Sequence, residues 1–426
     1  MGNSRKTAVG ILINVLNDGA YSNIAIKNEL DGSRLEREDK ALATALVYGV
    51  LDRKITIDYV ISKYVRKSVE RIAPVTLNAL RIALYQIMFM DKIPQSAAVN
   101  ESVNLVKGSK ERYNASFVNG VLRSFLREPA KMPAGDDAYS ISVRYSCPEW
   151  IVSGFISDYG IATAIKLLEE SLKKPRVCLR VNTLKTDPEK LIDVLKKEGI
   201  KAEKSPIEGA LTVNSTMDIA NSEAFNDGLF HVEDPASQKM LSKVGFRENM
   251  RVLDLCSAPG GKAFTVAEYL ENNGEIVACD MYEHRVELIK KGASRLGISI
   301  IKPFVNDATG INKDLGLFDV VLCDVPCSGL GVIRRKPEIK YKKINENDYD
   351  LLLKTQQKIV ENADRYLKPG GTLVYSTCTL KRAENEDQIT SFLDKHGDYD
   401  VKYNVNYMPH IDGTDGFFTA ILCKKR

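Results

Sequence analysis

The residues best equipped for chemistry are two cysteines and four aspartates in the C-terminal half of the chain. Cys327 lies in DVPCSG and Cys378 in YSTCTL. Each follows an apolar run and is flanked by Pro, Ser, Thr or Gly, which suits a loop at a ligand edge better than a packed interior. A thiolate can add to carbon 6 of a pyrimidine and make carbon 5 nucleophilic, dividing a hard substitution into easier steps. Attack must be accompanied by a proton or hydrogen bond at ring nitrogen 3. An acid held beside the base suits that role, and Asp324 stands just before Cys327 in the sequence.

A second constellation sits upstream. DLCSAPGGK, Asp254 to Lys262, follows the apolar run RVL. Its glycines allow a tight turn and close approach of a ligand to the backbone. A dinucleotide site would show GxGxxG, which is missing here. A P-loop would show GxxxxGK followed by Ser or Thr, but Ala263 follows Lys262 and the first glycine is absent. The loop therefore suits a ligand without pyrophosphate. Asp254, Asp280, Asp307 and Asp324 close four successive apolar runs. Such an acidic rim attracts a sulfonium cofactor with a ribose and an amine, and repels the phosphates of NAD or ATP.

These positions require a particular scaffold. From Met250 onward, apolar runs (RVLDLC, EIVACD, IKPFVND, FDVVLCD, TLVYST) alternate with helical patterns such as AFTVAEYLENNG, RVELIKKGASRLG and YDLLLKTQQKIVENADRYLKPGG. That alternation predicts a doubly wound, Rossmann-like α/β domain with a parallel sheet, covering 231–426, and ligands at the carboxyl ends of its strands. Residues 1–128 predict an all-helical domain able to fold alone. Residues 129–148, rich in Pro, Gly and Asp, read as a linker. Residues 149–230 read as a helical connector followed by a small α+β segment, with RVCLRVNTLK as a strand and PEKLIDVLKKEG as a helix.

Composition constrains less. The chain has 426 residues, 44% of them hydrophobic, and a net charge of +4, which permits nucleic-acid binding without demanding it. No apolar run is long enough for a membrane span, and the N-terminal stretch is interrupted by Asn14, Asn17 and Asp18 as no signal peptide would be. The start MGNSRK carries Lys6 where a myristoylation signal needs Ser or Thr. A cytoplasmic location with reduced cysteines is expected, and Cys147, Cys178, Cys279 and Cys423 read as small core residues. The lack of a CxxC pair argues against zinc.

The catalytic-half motifs resemble the NOL1/NOP2/Sun family of RNA cytosine-5 methyltransferases. The resemblance rests on DLCSAPGGK, Asp280, Asp307, DVPCSG, YSTCTL with ENE (384–386) after it, HVEDPASQ at the entry and DGFFTA (415–420) near the end. It implies that Cys256, Ser257, Ala258, Pro259, Gly260, Gly261, Lys262, Asp280, Asp307 and Asp324 line an S-adenosyl-L-methionine pocket. It further implies that Cys378 is the nucleophile and that Cys327 assists product release. Related enzymes acting on DNA use the Pro-Cys cysteine instead, so the additional TCT cysteine favours RNA. LVYGVLDR, LRIALYQIMFMDKIPQSAAVNESVNLVK and FVNGVLR resemble the NusB-like RNA-binding domain, and the small α+β segment has the size and order of an RNA-recognition motif. Together they imply small-subunit ribosomal RNA as the partner; the chain is expected to act as a monomer, without membrane or metal.

RNA contacts are expected at Lys173, Lys174, Arg176 and Arg180, at Arg334, Arg335 and Lys336, and at Lys340, Lys342 and Lys343, with a further face at Arg5, Arg37, Arg81 and Arg123. Two alternatives are a tRNA cytosine-5 methyltransferase and a non-catalytic RNA-binding assembly factor. The NusB-like region argues against the first, and the intact cysteines and aspartates against the second.

Overall fold

The computed structural model describes residues 4–213, 219–342 and 345–426. The chain forms two compact units, Met1–Lys173 together with Ile333–Lys343, and Lys174–Val332 together with Ile344–Arg426.

The first unit is helical: α1 (Ser4–Leu16), α2 (Ser22–Asp31), α3 (Arg37–Ser62), α4 (Pro74–Phe89), α5 (Gln95–Lys107), α6 (Ala115–Arg127), α7 (Ala138–Tyr145), α8 (Glu149–Tyr159) and α9 (Ile161–Ser171). Apolar residues at helical spacing fall on the inward faces. In α6, for instance, Val118, Val121, Leu122 and Phe125 are buried as one stripe. The expected linker 129–148 is corrected by α7. Asp137 caps that helix by accepting from the Ser140 N–H at 3.0 Å, and Ile141 and Val143 are buried. The Pro/Gly-rich composition describes only the stretch before the cap. Helices α8 and α9, in the stretch read as a helical connector, group with the helical unit by their packing.

The helical unit also takes in the segment 333–343 from the distant half of the chain. Glu338 accepts from the Ser22 N–H at 3.2 Å and the Ser22 hydroxyl at 2.8 Å, at the start of α2. Lys340 is only 1% exposed and donates to the carbonyls of Asp52 and Ser146, both at 3.0 Å. The Tyr341 hydroxyl donates to the Leu51 carbonyl at 2.6 Å.

The second unit holds two sheets. The smaller contains β1 (Val177–Val181), β2 (Ala202–Lys204), β3 (Ala210–Val213) and β4 (Phe230–Val232), with α10 (Pro188–Lys197) after β1 and the short α11 (Glu223–Asn226) before β4. Its order is β2-β3-β1-β4, antiparallel throughout, a ferredoxin-like arrangement like that of an RNA-recognition motif.

The larger sheet follows α12 (Pro235–Leu241). Its strands are β5 (Arg251–Asp254), β6 (Glu275–Asp280), β7 (Ile301–Val305), β8 (Phe318–Asp324), β9 (Leu367–Thr377), β10 (Tyr399–Tyr407) and β11 (Phe417–Lys424). Between them run α13 (Gly261–Tyr269), α14 (Glu283–Leu296), α15 (Glu346–Asp364), α16 (Glu386–Lys395) and the single turn α17 (Pro409–Asp412). The order is β10-β11-β9-β8-β5-β6-β7. Successive side chains alternate between two buried faces. Val252, Ile276, Val320 and Val374 pack on one side with Ala263, Val266 and Ile289 of α13 and α14. Leu253, Val277, Val321 and Tyr375 pack on the other with Ile359, Val360 and Phe392 of α15 and α16. Both faces are covered, so the doubly wound expectation holds.

The five strands read from sequence form the expected parallel sheet, and two further strands extend it. β5 through β9 pair in parallel, but β11 runs antiparallel to β9 and β10 antiparallel to β11. Helix α15 also ends at Asp364, and YLKPGG, read from sequence as its last turn, instead opens β9 from Leu367. Gly370 there has φ +79°, which no helix accommodates.

Candidate active site

The carboxyl ends of β5, β6 and β8 carry Asp254, Asp280 and Asp324, and Cys378 directly follows β9. Asp307 lies just beyond β7. Parallel pairing of β6, β5, β8 and β9 places these strand ends along one rim.

On the β5–β7 side, several buried polar atoms lack protein partners. Asp254 is fully buried, and neither carboxylate oxygen has a partner of good hydrogen-bond geometry, although the Ser257 hydroxyl and the Cys256 N–H lie beside it. Burial is the main cause that pushes its carboxyl up to about 7. The Ser257 hydroxyl and the Asn306 amide nitrogen are likewise buried without partners. Asp280 is better tethered: it accepts from the Tyr282 N–H at 3.2 Å and pairs with Arg285 at 3.2 Å. Arg285 also donates to the Ala258 carbonyl at 3.1 Å, tying the end of β6 to the glycine loop. Asp307 accepts from the N–H of Thr309 at 2.9 Å and its hydroxyl at 2.7 Å, bonds that hold its carboxyl below the ordinary range.

The loop itself is folded back on the sheet. The Ser257 N–H donates to the Cys279 carbonyl at 2.7 Å, the Gly260 N–H donates to the Ser257 carbonyl at 2.8 Å, and the Ala258–Pro259 peptide is cis. Gly260 has φ +111°, and a Cβ there would lie 2.4 Å from the Phe264 ring, so only glycine fits. Cys256 borders this loop, and burial pushes its thiol well up.

The β8–β9 side is closely cross-linked. The sulfurs of Cys327 and Cys378 are 3.2 Å apart, and both residues are partly exposed. The Cys327 thiol is pushed well above its ordinary value, first by its hydrogen bond to Cys378, then by burial, then by the charges of Cys378, Glu384 and Asp324. Asp324 accepts from Lys262 at 2.7 Å and from the Ser376 hydroxyl at 2.8 Å. Lys262 is held in its charged form, its ammonium raised against burial by Asp324. The two cysteine loops are joined by the Val325 N–H to the Ser376 carbonyl at 3.1 Å, Ser328 to Thr379 hydroxyls at 2.8 Å, and the Gly331 N–H to the Cys378 carbonyl at 3.0 Å.

Residues to which the sequence assigned no role complete this side. Glu384 is fully buried and accepts from the Ser328 N–H at 2.8 Å, from Gln356 at 3.0 Å and from the Tyr349 hydroxyl at 3.4 Å. Asn385 accepts from the Thr377 hydroxyl at 2.6 Å and donates to the Thr379 carbonyl at 3.1 Å. The ENE triplet was the one available signal for both. Gln356 and Arg285 left no signal of their own, and Ser376 lay within YSTCTL without a role assigned to it.

The basic clusters divide. Lys173, Arg176 and Lys336 are exposed, and Arg334 and Arg335 are half-buried. Arg180 is not a surface residue: it is 4% exposed and its guanidinium pairs with Glu268 at 2.7 Å and donates to the Glu208 carbonyl at 3.0 Å. A phosphate contact at Arg180 is therefore set aside. Lys340 and Arg81 are corrected in the same way, the first by the contacts given above and the second by its burial against Asp58 at 2.7 Å. Lys342 is exposed and stands over the Tyr21 ring, and Lys343 lies outside the described residues.

The sheet, with its reversed strand β11 between β9 and β10 and a glycine loop after β5, defines a Rossmann-like methyltransferase domain. Comparison with known proteins names the family. Residues 243–423 match the 16S rRNA methyltransferase RsmB/F family, residues 2–127 the NusB family, and residues 147–220 the ferredoxin-like domain of RsmF/B-like methyltransferases. The chain is 36% identical to the probable ribosomal RNA small subunit methyltransferase B of Bacillus subtilis (strain 168), over 99% of this chain and 98% of that one. It is 30% identical to the ribosomal RNA small subunit methyltransferase B of Proteus mirabilis (strain HI4320), over 99% of each. The crystal structure of PH0851 superposes with a TM-score of 0.84 at 26% identity, covering 100% of this chain and 99% of that one. A methyltransferase homologue from Pyrococcus horikoshii gives a TM-score of 0.60 at 27% identity, over 68% of this chain and 100% of that one. The chain belongs to the RsmB family of ribosomal RNA small subunit methyltransferases.

Proposed function

We propose that the chain transfers a methyl group from S-adenosyl-L-methionine to carbon 5 of one cytosine of 16S rRNA, the one numbered 967, through a covalent adduct on Cys378. The observation that carries this reading is the pair of sulfurs 3.2 Å apart, with Cys327 pushed toward its thiol form. A neighbouring thiol that keeps its proton can donate a hydrogen bond to a thiolate, and the family resemblance gives Cys378 the attacking role and Cys327 the supporting one.

The cofactor half fits its ligand. A ribose and an α-amine supply hydrogen-bond donors, and Asp254 presents two buried acceptor oxygens without protein partners of good geometry. Cys256 to Lys262 would line the cofactor, Asp280 would take its ribose hydroxyls, and Asp307 and Asp324 would complete the acidic rim. The cofactor, when bound, supplies an electrophilic methyl group.

The protein's own residues perform the rest. The Cys378 sulfur adds to carbon 6 of the cytosine, breaking the 5–6 double bond. Asp324, oriented by Lys262 and Ser376, holds the proton at nitrogen 3 that this addition requires. Carbon 5 would then take the methyl group that the bound cofactor supplies, as that group's bond to the cofactor's sulfur breaks. Water at the rim then takes the carbon 5 proton, and the 5–6 double bond re-forms. Nitrogen 3 gives up its proton to Asp324, and the carbon 6–sulfur bond breaks so that Cys378 leaves as a thiolate, to which the Cys327 thiol donates a hydrogen bond. The base must leave its stack to reach the sulfur. The helical and ferredoxin-like domains, with exposed Lys173, Arg176 and Lys336, would bind rRNA phosphates in the cytoplasm.

Methyl transfer from labelled cofactor to naked 16S rRNA, followed by bisulfite mapping, tests the proposal. A single protected cytosine at the stated position is expected. Protection in tRNA alone, or no transfer at all, would move the reading to one of the alternatives.

A further inference from the structure

Two sulfurs in contact pose a question of selection: both sit at the same rim, yet the covalent reading gives them different tasks. Glu384 bears on that choice. It begins the ENE triplet, is fully buried, and lies behind the Pro326–Ser328 loop. Its carboxylate is satisfied by a backbone amide, an amide side chain and a phenol, from Ser328, Gln356 and Tyr349. None of these donors is a cation, so among the described residues no ion pair compensates this carboxylate. That contrasts with Asp324, which has Lys262 at 2.7 Å. Gln356 also donates to the Pro326 carbonyl at 2.9 Å, so the same side chain grips the loop and the carboxylate together. Ser328, held through its N–H, is bonded directly to Cys327. In a buried setting an uncompensated carboxylate disfavours a second negative charge nearby.

We propose that Glu384 is a positioning residue that fixes the Cys327 loop and, through its uncompensated charge, keeps Cys327 protonated so that Cys378 carries the reacting thiolate. The inference rests on the covalent reading above and adds the reason for its division of labour. The direction of the Cys327 shift agrees, since Glu384 is among its causes after the Cys378 hydrogen bond and burial.

The test needs neither RNA nor cofactor. In a Cys378→Ala background, alkylation of Cys327 by iodoacetamide is followed against pH by peptide mass spectrometry. Adding Glu384→Gln, which keeps shape and removes charge, should lower the midpoint by about one pH unit, roughly tenfold more thiolate at fixed pH. Glu384→Asp, which keeps the charge, should leave the midpoint near its starting value. Gln356→Lys places a cation against the same carboxylate and should lower the midpoint as Glu384→Gln does. A midpoint that is unchanged or raised in both charge-cancelling variants would overturn the proposal. Because alkylation is independent of substrate, a failure here is distinguishable from failure of the covalent mechanism, which is read by adduct formation on RNA.

Discussion

The two halves of the rim are built differently. Along β5–β7, Asp254, Ser257 and Asn306 bury polar atoms that no protein group satisfies. Along β8–β9, Ser328, Thr377, Thr379 and Glu384 all find partners, and the two cysteine loops are stitched to each other. Buried polar groups without partners cost stability, so a fold retains them where a ligand supplies the missing bonds. Groups that must react with one geometry gain from being fixed before the substrate arrives. On the proposed reading a ligand completes the first half, whereas the cysteine loops of the second are held by the protein's own bonds, although Gln356 keeps one buried oxygen without a partner.

Substitutions can break this contrast. The largest effect is expected on the preset side. Cys378→Ala should abolish turnover, at least on the order of a 1,000-fold loss in single-turnover methyl transfer, because carbon 5 is never activated. Cys327→Ala should complete one methyl transfer and stall before release. Equal single-turnover rates for the two variants would remove the distinction between the cysteines.

On the side completed by ligand, the buried charge of Asp254 should cost stability in the free protein. Its folded value of about 7 lies above the ordinary 3.8, so its favourable contribution is full below pH 4 and is lost as pH rises through 7. The loss is at most on the order of 4 kcal/mol. Asp254→Asn should flatten that pH dependence, measured as urea midpoints between pH 4 and 8 without cofactor. The same slope in both proteins would show that Asp254 is not the source.

Gly331 tests the stitching. A Cβ there would lie 1.9 Å from the Gly416 carbonyl oxygen and 2.8 Å from that of Cys378. Gly331→Ala should destabilise the protein by about 1–3 kcal/mol and lower the transfer rate more than it weakens cofactor affinity. A variant with native rate and stability would show that this close approach is not needed. An effect of similar size, confined to cofactor affinity, is expected at Asp280, which already has Arg285 and Tyr282 as partners. Asp280→Ala should weaken S-adenosyl-L-methionine binding by about 1–3 kcal/mol in calorimetry. Unchanged affinity would remove Asp280 from the proposed pocket.

Much of this arrangement was legible because contiguous motifs carry it. DLCSAPGGK, DVPCSG and YSTCTL each combine a strand end with its loop, so an apolar run followed by Gly, Pro or Ser locates the residue and the rim at once. The network behind them was not legible. Glu384 meets its partners across 56, 28 and 35 residues of sequence, and nothing local marks Gln356 or Tyr349 as near Cys327. Charge was misleading for a similar reason. Lys340 and Arg180 resemble surface cations in sequence, but their partners Asp52, Ser146 and Glu268 are supplied by distant segments. The edge strand β10 was obscured by its own position, since YDVKYNVNY buries only its two ends fully and lacks the apolar run of the central strands.

The central claim, that Cys378 attacks and Cys327 releases, is tested most directly by locating the adduct. Cys327→Ala protein is incubated with 16S rRNA and S-adenosyl-L-methionine, resolved on a denaturing gel, and the RNA-linked peptide is identified by mass spectrometry. The account predicts a stable band whose cross-linked peptide contains Cys378, and no band for Cys378→Ala. A stable band for Cys378→Ala carrying the Cys327 peptide, with none for Cys327→Ala, would reverse the roles and contradict it.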